Sequence, residues 1–529
     1  MEFNLADLFE LVADTVPDRE AVVCGDVRRT YRELDERATR LAHALGSLGV
    51  SAGNHVGLQL YDSVEHVEAM LACYKLRAVP INVNWRYVEA ELRHLLADAE
   101  VVALVHEPEF EPLRQPALAR GPAFEAAVAS GWPERDFGPR SPDDRYVLYT
   151  GGTTGMPKGV VWRQEDIFFA VMGGGNPGGV PIAEPDEIVD TVLNRTELRL
   201  QAFLGPDDPK PEQFVQLGVG PLMHASGQWS TLGSLLGGGK VVLYPDRHLD
   251  MARVLELIET ERVTGLNMVG DSTGVPLLAA LRARIYDTSS LQLLGSGGAM
   301  LSSDVKAGLM EAMPSVLAIT EGVGSSEAPV EGVAVTTRAG APAPSLHFPP
   351  RPDTVVVDDD FKPVEPGSGQ AGRIAVRGRM PIGYFNDPEK TARTFVEIDG
   401  QRWTLPGDMA TVEANGTVRL LGRGSMCINT GGEKVYPEEV EAAIKAHPAV
   451  VDALVVGRPD ERYGQQVAAI VQPRAQVEPP TLDELQAHCR TYVAGYKLPR
   501  ALFVVDAVER SPAGKPDYEW AREVVAGSG

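Results

Sequence analysis

Tyr149-Thr-Gly-Gly-Thr-Thr-Gly-Met-Pro-Lys-Gly159 follows the apolar run Arg145-Tyr-Val-Leu-Tyr149, which reads as a short strand. Four glycines, three threonines and one lysine crowd into this stretch. Glycine lets the main chain turn tightly and bring its N–H groups close to a ligand. The threonine hydroxyls add short donors, and Lys158 adds a positive charge. Such a loop suits a polyphosphate, with Thr150, Gly151, Gly152, Thr153, Thr154 and Gly155 as the cradle and Lys158 as a catalytic cation. It is not a Walker A loop, because Lys158 is followed by Gly159 and the G-x-x-x-x-G-K-[ST] spacing is absent. The alternative is a surface hairpin rich in turn residues, but so dense a mixture of Gly, Thr and Lys has no packing use.

On either side the chain alternates strand and helix patterns. His55–Leu60 precedes a helical pattern over 64–75, Val79–Val83 precedes one over 88–97, and Val101–Val105 follows. Downstream, Lys240–Tyr244 pairs with a helix over 251–261, and Gly265–Val269 with one over 275–283. Leu291–Leu294 then opens onto Gly295-Ser-Gly-Gly-Ala299. This alternation predicts an α/β fold with layered, largely parallel sheets. From Thr354 the pattern turns β-rich, and a compact α/β pattern restarts near Gly424. We expect a large N-terminal domain over 1–422 and a small mobile α+β domain over 423–529. The polar, acidic stretch 182–213 reads as a solvated excursion, a candidate lid.

The 529 residues are enough for two or more domains with a sizeable core. Hydrophobic residues make up 44% and charged ones 23%, as in soluble globular chains. A net charge of −24 argues against indiscriminate binding to nucleic acid or anionic membrane. Cations at an anionic ligand must then be gathered locally, which makes each lysine or arginine in a Gly-rich loop informative. Cys24, Cys73, Cys427 and Cys489 are far apart, so a disulfide framework or zinc site is not expected and a reducing compartment is. Neither a secretory leader nor an apolar run of the ~18 residues that a spanning helix needs is visible. We expect a cytoplasmic protein without integral membrane association.

Further stretches fit a nucleotide site. Thr320-Glu-Gly-Val-Gly-Ser-Ser-Glu327 reads as a turn of small residues, with Gly324, Ser325 and Ser326 beside a carboxylate that could hold Mg²⁺ between phosphates. The competing reading is a helix cap ahead of Ala328-Pro329. Pro406-Gly-Asp408 sets a carboxylate in a tight turn, where it could accept hydrogen bonds from ribose hydroxyls, or be a plain turn. Gly422-Arg423-Gly424 could supply a second ribose contact or a hinge. Ser511-Pro-Ala-Gly-Lys-Pro516 sets Lys515 on a Gly/Pro-shaped loop, and a solvated tail lysine is the plainer alternative. His224, flanked by apolar residues, is either a core histidine or a wall of the substrate site. One rival is a nucleophile elbow, since Gly270-Asp-Ser-Thr-Gly274 matches G-x-S-x-G with Ser272 as nucleophile. None of the downstream histidines, His347, His447 and His488, has the context of a triad member.

In this order the stretches resemble the adenylate-forming superfamily of acyl-CoA synthetases, adenylation domains and luciferases, over nearly the whole chain. The resemblance implies a phosphate loop at Tyr149–Gly159, an aromatic/His motif at His224 and an adenine-side loop at Gly297, Gly298 and Ala299. It also implies a magnesium glutamate at Glu327, a ribose-binding pair in Asp408 and Arg423, and a catalytic lysine in Lys515. Gly431, Gly432 and Glu433 are similar to the segment found in CoA ligases. More narrowly, Tyr149–Gly159, Gly422–Glu441 and Ser511–Tyr518 look like actinobacterial ligases that activate steroid side-chain carboxylates and related fatty acids. The resemblance thus implies a bulky apolar carboxylic acid, ATP, Mg²⁺ and coenzyme A, and an acyl-AMP intermediate. An acyl-AMP ligase that loads a carrier protein is the alternative, and a homodimer is a possible assembly. The hinge acid usual in the superfamily is missing, its positions being taken by Ser425 and Met426.

Overall fold

The computed structural model describes residues 2–87, 89–152, 155–174, 181–193, 212–338, 346–430, 433–460, 464–493, 495–511 and 514–527. Most of the excursion, residues 194–211, therefore lies outside the described residues. Among them no helix is long and apolar enough to cross a membrane.

An eight-stranded sheet organises the first 340 or so positions. Its central strands Val215–Gly218, Lys240–Leu243, Gly265–Met268, Leu293–Gly297 and Ala318–Val323 connect through parallel pairings. Parallel strands covered on both faces read as continuous apolar runs rather than alternation. Val241 and Val242 accordingly lie side by side, both buried. A four-stranded parallel sheet carries His55–Gln59, Val79–Asn82, Val101–His106 and Ala117–Ala119. The helix Tyr31–Ser47 opens with a capping box, Thr30 bonding the Glu33 amide and Glu33 reaching back. The buried Tyr31 hydroxyl lies within hydrogen-bond distance of the Leu235 and Gly239 carbonyls, fastening this helix to the turn that leads into the strand Lys240–Leu243 of the larger sheet.

The β-rich part is a seven-stranded sheet that includes Thr354–Val357, Gly372–Val376, Asp408–Val412 and Val418–Arg423. Residues from Ile428 onward form a separate five-stranded sheet with its own apolar clusters, one around Val440, Ile444 and Val455, the other around Leu454, Ile470 and Ala521. The expected mixture of α/β layers, a β-rich part and a smaller C-terminal α/β unit is what the chain adopts.

Three local differences matter. Arg145–Gly152 and Gly155–Arg163 form one antiparallel hairpin, so the stretch expected to be loop through Gly159 is strand from Gly155 onward. The helix expected from Val275 begins at Gly270 and carries Pro276 inside it. The strand expected to end at Leu294 continues through Gly295 to Gly297. Glycine lacks the side chain that marks a strand, so the pattern underestimates this element.

Candidate functional site

Two turns leave neighbouring parallel strands at the same end. Gly297 is in register with Gly322, so the Gly297–Ala299 loop and the Gly324–Glu327 turn emerge together from the carboxyl edge of the sheet. Open α/β sheets place ligands at that edge, because strand ends and helix starts leave backbone donors free there. Ala318–Val323 is strand rather than turn, and no helix follows Glu327, which removes the helix-cap reading.

The hairpin of Thr150 and Lys158 is tied to the Glu327 turn from two sides. Trp162, fully buried, donates its indole N–H to the Ser326 carbonyl at 3.1 Å. Tyr384 lies on the short strand Gly383–Tyr384, which pairs with Val160 and Val161 of the hairpin, and its hydroxyl donates to Glu327 Oε1. A carboxylate bonded through one oxygen retains a second as a hard ligand, so Glu327 fits a magnesium ion. Lys158 pairs with Asp387, the N-cap of the helix Pro388–Thr394. The Lys158 ammonium, followed by the Lys390 amide, holds the Asp387 carboxyl below its ordinary value. Thr150 stands opposite Lys158 in the hairpin register, Gly151 and Gly152 continue its first strand, and Gly155 opens the second. Thr153 and Thr154 lie outside the described residues.

Asn82 joins this hairpin to the His224 segment. Its side-chain amide donates to the carbonyls of Tyr149 at 2.7 Å and Met223 at 2.8 Å, and its oxygen accepts from the Tyr149 amide at 2.8 Å. Asp62 adds a bond from the Leu222 amide at 2.8 Å, and Gln228 one to the Leu222 carbonyl at 2.9 Å. His224 is thereby held at the start of the helix Ala225–Leu235. Burial, then the positive charges of Lys515 and Arg86, push its imidazole down to about 4, so it is neutral at neutral pH. His224 is half-buried and stands within the field of Lys515 and Arg86.

Asp408 is 6% exposed and lies directly across the strand pair from Arg423, the two expected ribose partners being cross-strand neighbours. The Gly424 amide donates to the Gly407 carbonyl at 3.0 Å, which closes the hinge segment onto the Asp408 turn. Met426 is buried, and Arg522 donates to its sulfur. Gly431 and Gly432 lie outside the described residues, while Glu433 opens the strand Glu433–Val435 on the C-terminal sheet.

Lys515, on the segment after the last strand of the C-terminal sheet, is brought to the Gly297–Ala299 loop, where a β-carbon placed on Gly298 would stand 3.8 Å from Lys515 Cε. Ser272, the rival nucleophile, donates to the Val269 carbonyl of its own turn rather than to a histidine. Sequence reasoning missed Asn82, Trp162, Tyr384 and Asp387. Asn386-Asp-Pro-Glu389 does carry a legible helix-start signal, but nothing in it announces the bond to Lys158.

The AMP-binding enzyme family matches residues 9–385, and the AMP-binding enzyme C-terminal domain matches residues 439–515. The chain is 44% identical to a medium/long-chain-fatty-acid–CoA/3-oxocholest-4-en-26-oate–CoA ligase of Mycolicibacterium smegmatis, over 99% of this chain and 97% of that protein. It is 42% identical to a 3-oxocholest-4-en-26-oate–CoA ligase of Rhodococcus rhodochrous, over 99% and 96% respectively. Among solved structures, ATP-bound MatB from Rhodopseudomonas palustris is 26% identical, with a TM-score of 0.79 over 98% of both chains.

Proposed function

This chain belongs to the AMP-binding enzyme family, and from that premise we propose that it is an AMP-forming acyl-CoA synthetase for a bulky apolar carboxylic acid, a steroid side-chain acid or a medium- to long-chain fatty acid. As an ATP-dependent acid–thiol ligase it works in two half-reactions. A substrate carboxylate oxygen attacks the α-phosphorus of ATP, a new P–O bond forms, and the bond to the β-phosphate oxygen breaks with departure of pyrophosphate. The sulfur of CoA then attacks the acyl carbonyl carbon of acyl-AMP, AMP leaves, and the thiol proton is lost to solvent.

The first step brings two anions together while charge builds on the leaving group, so positioned donors lower its barrier. The amides and hydroxyls of Thr150, Gly151, Gly152, Thr153, Thr154 and Gly155 would cradle the phosphates, with Lys158 exchanging Asp387 for the triphosphate. Gly297, Gly298 and Ala299 would face the adenine, Gly324, Ser325 and Ser326 would shape the phosphate turn, and Asp408 with Arg423 would hold the ribose. Lys515 would bridge toward the α-phosphate, and neutral His224 would line the acyl site without adding charge. Mg²⁺, held by Glu327, would supply charge neutralisation between the phosphates. Gly431, Gly432 and Glu433 would meet CoA after the domain over 423–529 has turned on the one over 1–422. We extend the reading to a cytoplasmic enzyme that works as a homodimer.

The observation that carries the proposal is the position of Lys515, drawn from the C-terminal lobe to stand over Gly298 at the carboxyl edge of the sheet. A competition assay with ATP and free CoA, offering cholanoate-like, long-chain, medium-chain and aromatic acids, tests it. The expected outcome is acyl-CoA formed preferentially from the bulky apolar acids, with stoichiometric AMP. Absence of ATP–pyrophosphate exchange with every acid, or acylation of a carrier protein but not of CoA, would overturn it.

A further inference from the structure

Gly270-Asp-Ser-Thr-Gly274, which imitates a nucleophile elbow in sequence, is wedged between two parts of the site. On one side it grips the adenine-side loop. The Gly270 amide donates to Ser296 Oγ at 3.1 Å, the Asp271 amide to the Met300 carbonyl at 2.8 Å, and Asp271 Oδ1 accepts from the Ser302 amide at 2.8 Å. On the other side it meets the turn that carries Lys515. A β-carbon on Gly514 would stand 2.6 Å from Ser272 Oγ and 2.9 Å from Val269 Cγ1, inside any real contact. Gly514 also has φ +73°, in the left-handed region that glycine alone adopts without strain.

Ser511 and Lys515 are tied to each other, the Ser511 amide donating to the Lys515 carbonyl at 2.8 Å and the Lys515 amide to the Ser511 side-chain Oγ at 3.2 Å. Arg510 caps the Gly514 carbonyl at 3.3 Å while forming a two-point pair with Asp452, both bonds at 2.7 Å. The charges of Lys445 and Asp452, on the C-terminal lobe, reach the Asp271 carboxylate across the same contact. Gly514 and Lys515 are chain neighbours and both are bonded to Ser511, so a displacement at Gly514 carries to Lys515.

We propose that Val269 and Ser272 form the socket that seats Gly514, so that Ser272 is a positioning residue whose size decides whether Lys515 reaches the nucleotide. The proposal rests on the ligase reading above. It gives the serine of the G-x-S-x-G sequence a steric rather than a nucleophilic role, its hydroxyl held by the Val269 carbonyl with the oxygen as the atom nearest Gly514.

The test measures both half-reactions in the full-length protein with the acid that wild type activates best. Ser272→Leu should lower ATP–pyrophosphate exchange at least tenfold, while conversion of supplied acyl-AMP and CoA to acyl-CoA stays within twofold of wild type. Ser272→Ala, which leaves the socket open, should restore exchange relative to Ser272→Leu. In a Lys515→Ala background, Ser272→Leu should add less than a twofold further loss, because the lysine it displaces is already gone. Gly514→Ala approaches the same contact from the other lobe and should reproduce the pattern, should Ser272→Leu fail to fold. Unchanged exchange in both variants, equal loss in both half-reactions, or losses that multiply with Lys515→Ala would overturn the socket. A wild-type protein without exchange would instead refute the ligase reading.

Discussion

The phosphate hairpin is joined to its neighbours by directional hydrogen bonds from buried side chains, whereas the Lys515 turn rests on its neighbour through small residues. Trp162, Tyr384 and Asn82 each reach out of the hairpin or into it, and between them they fix the Glu327 turn and the His224 segment to one frame. At the other side Gly514 sits on Ser272 and Val269 with no side chain of its own to commit. Breaking a buried hydrogen bond strands a donor or acceptor at a cost of about 1–3 kcal/mol. Gly514 has its amide and carbonyl bonded within its own segment, to Ser511 and Arg510, so parting it from Ser272 and Val269 breaks no bond of the glycine. The difference suits a site with one part fixed and one part that docks and leaves. A second tie between the lobes follows the same logic: the buried Glu439 is bonded by Arg419 at 2.9 Å and by Lys497 at 2.6 Å, so it keeps a cation on its own lobe if the other departs.

The fixed part is broken most severely at Glu327. Glu327→Ala should reduce adenylation on the order of 10²–10³-fold, as loss of one preorganised electrostatic partner does, and should raise the Mg²⁺ concentration at half-maximal rate. An unchanged metal titration would remove Glu327 from the site. Next comes Asn82→Leu, which leaves three backbone groups without their partner. Destabilisation on the order of 3 kcal/mol is expected in a urea titration, with both half-reactions falling together. That joint fall sharpens the contrast with Ser272→Leu, and a selective loss of adenylation would blur it.

A smaller effect comes from His66, buried beside the Tyr61 carbonyl beneath the same frame. Burial pushes its imidazole down to about 4, against an ordinary value near 6.5 in the unfolded chain. The unfolded state therefore binds the proton first, and the stability that neutral His66 contributes is lost as pH falls from about 6.5 toward about 4. Between pH 7 and pH 5 this amounts to about 2 kcal/mol. His66→Phe should remove that portion of the acid sensitivity, measured as the change in Tm between the two pH values. An unaltered pH dependence would contradict the assignment.

How much of this was legible depended on where each signal lay along the chain. The Gly, Thr and Lys residues of 150–159 stand out in the sequence because they are contiguous, yet they read as a loop where the chain forms a strand hairpin. Asp408 and Arg423 stand out in the sequence one at a time, but their direct opposition depends on the strand pairing of 408–412 with 418–423, with a register shift after Met409. Tyr384 lies 57 residues from Glu327, and Asp387 lies 229 from Lys158, so no local pattern could join either pair. Ser272 was misleading for the opposite reason. Its motif is local and complete, yet what the serine touches is a glycine supplied from the far end of the chain.

The central claim is that a lysine carried on the C-terminal lobe serves one half-reaction and is absent from the other. Lys515→Ala, assayed separately for ATP–pyrophosphate exchange and for acyl transfer from supplied acyl-AMP to CoA, tests it most directly. Exchange should fall on the order of 10²–10³-fold, with acyl transfer within about twofold of wild type. Equal losses in the two assays, or no loss of exchange, would contradict it.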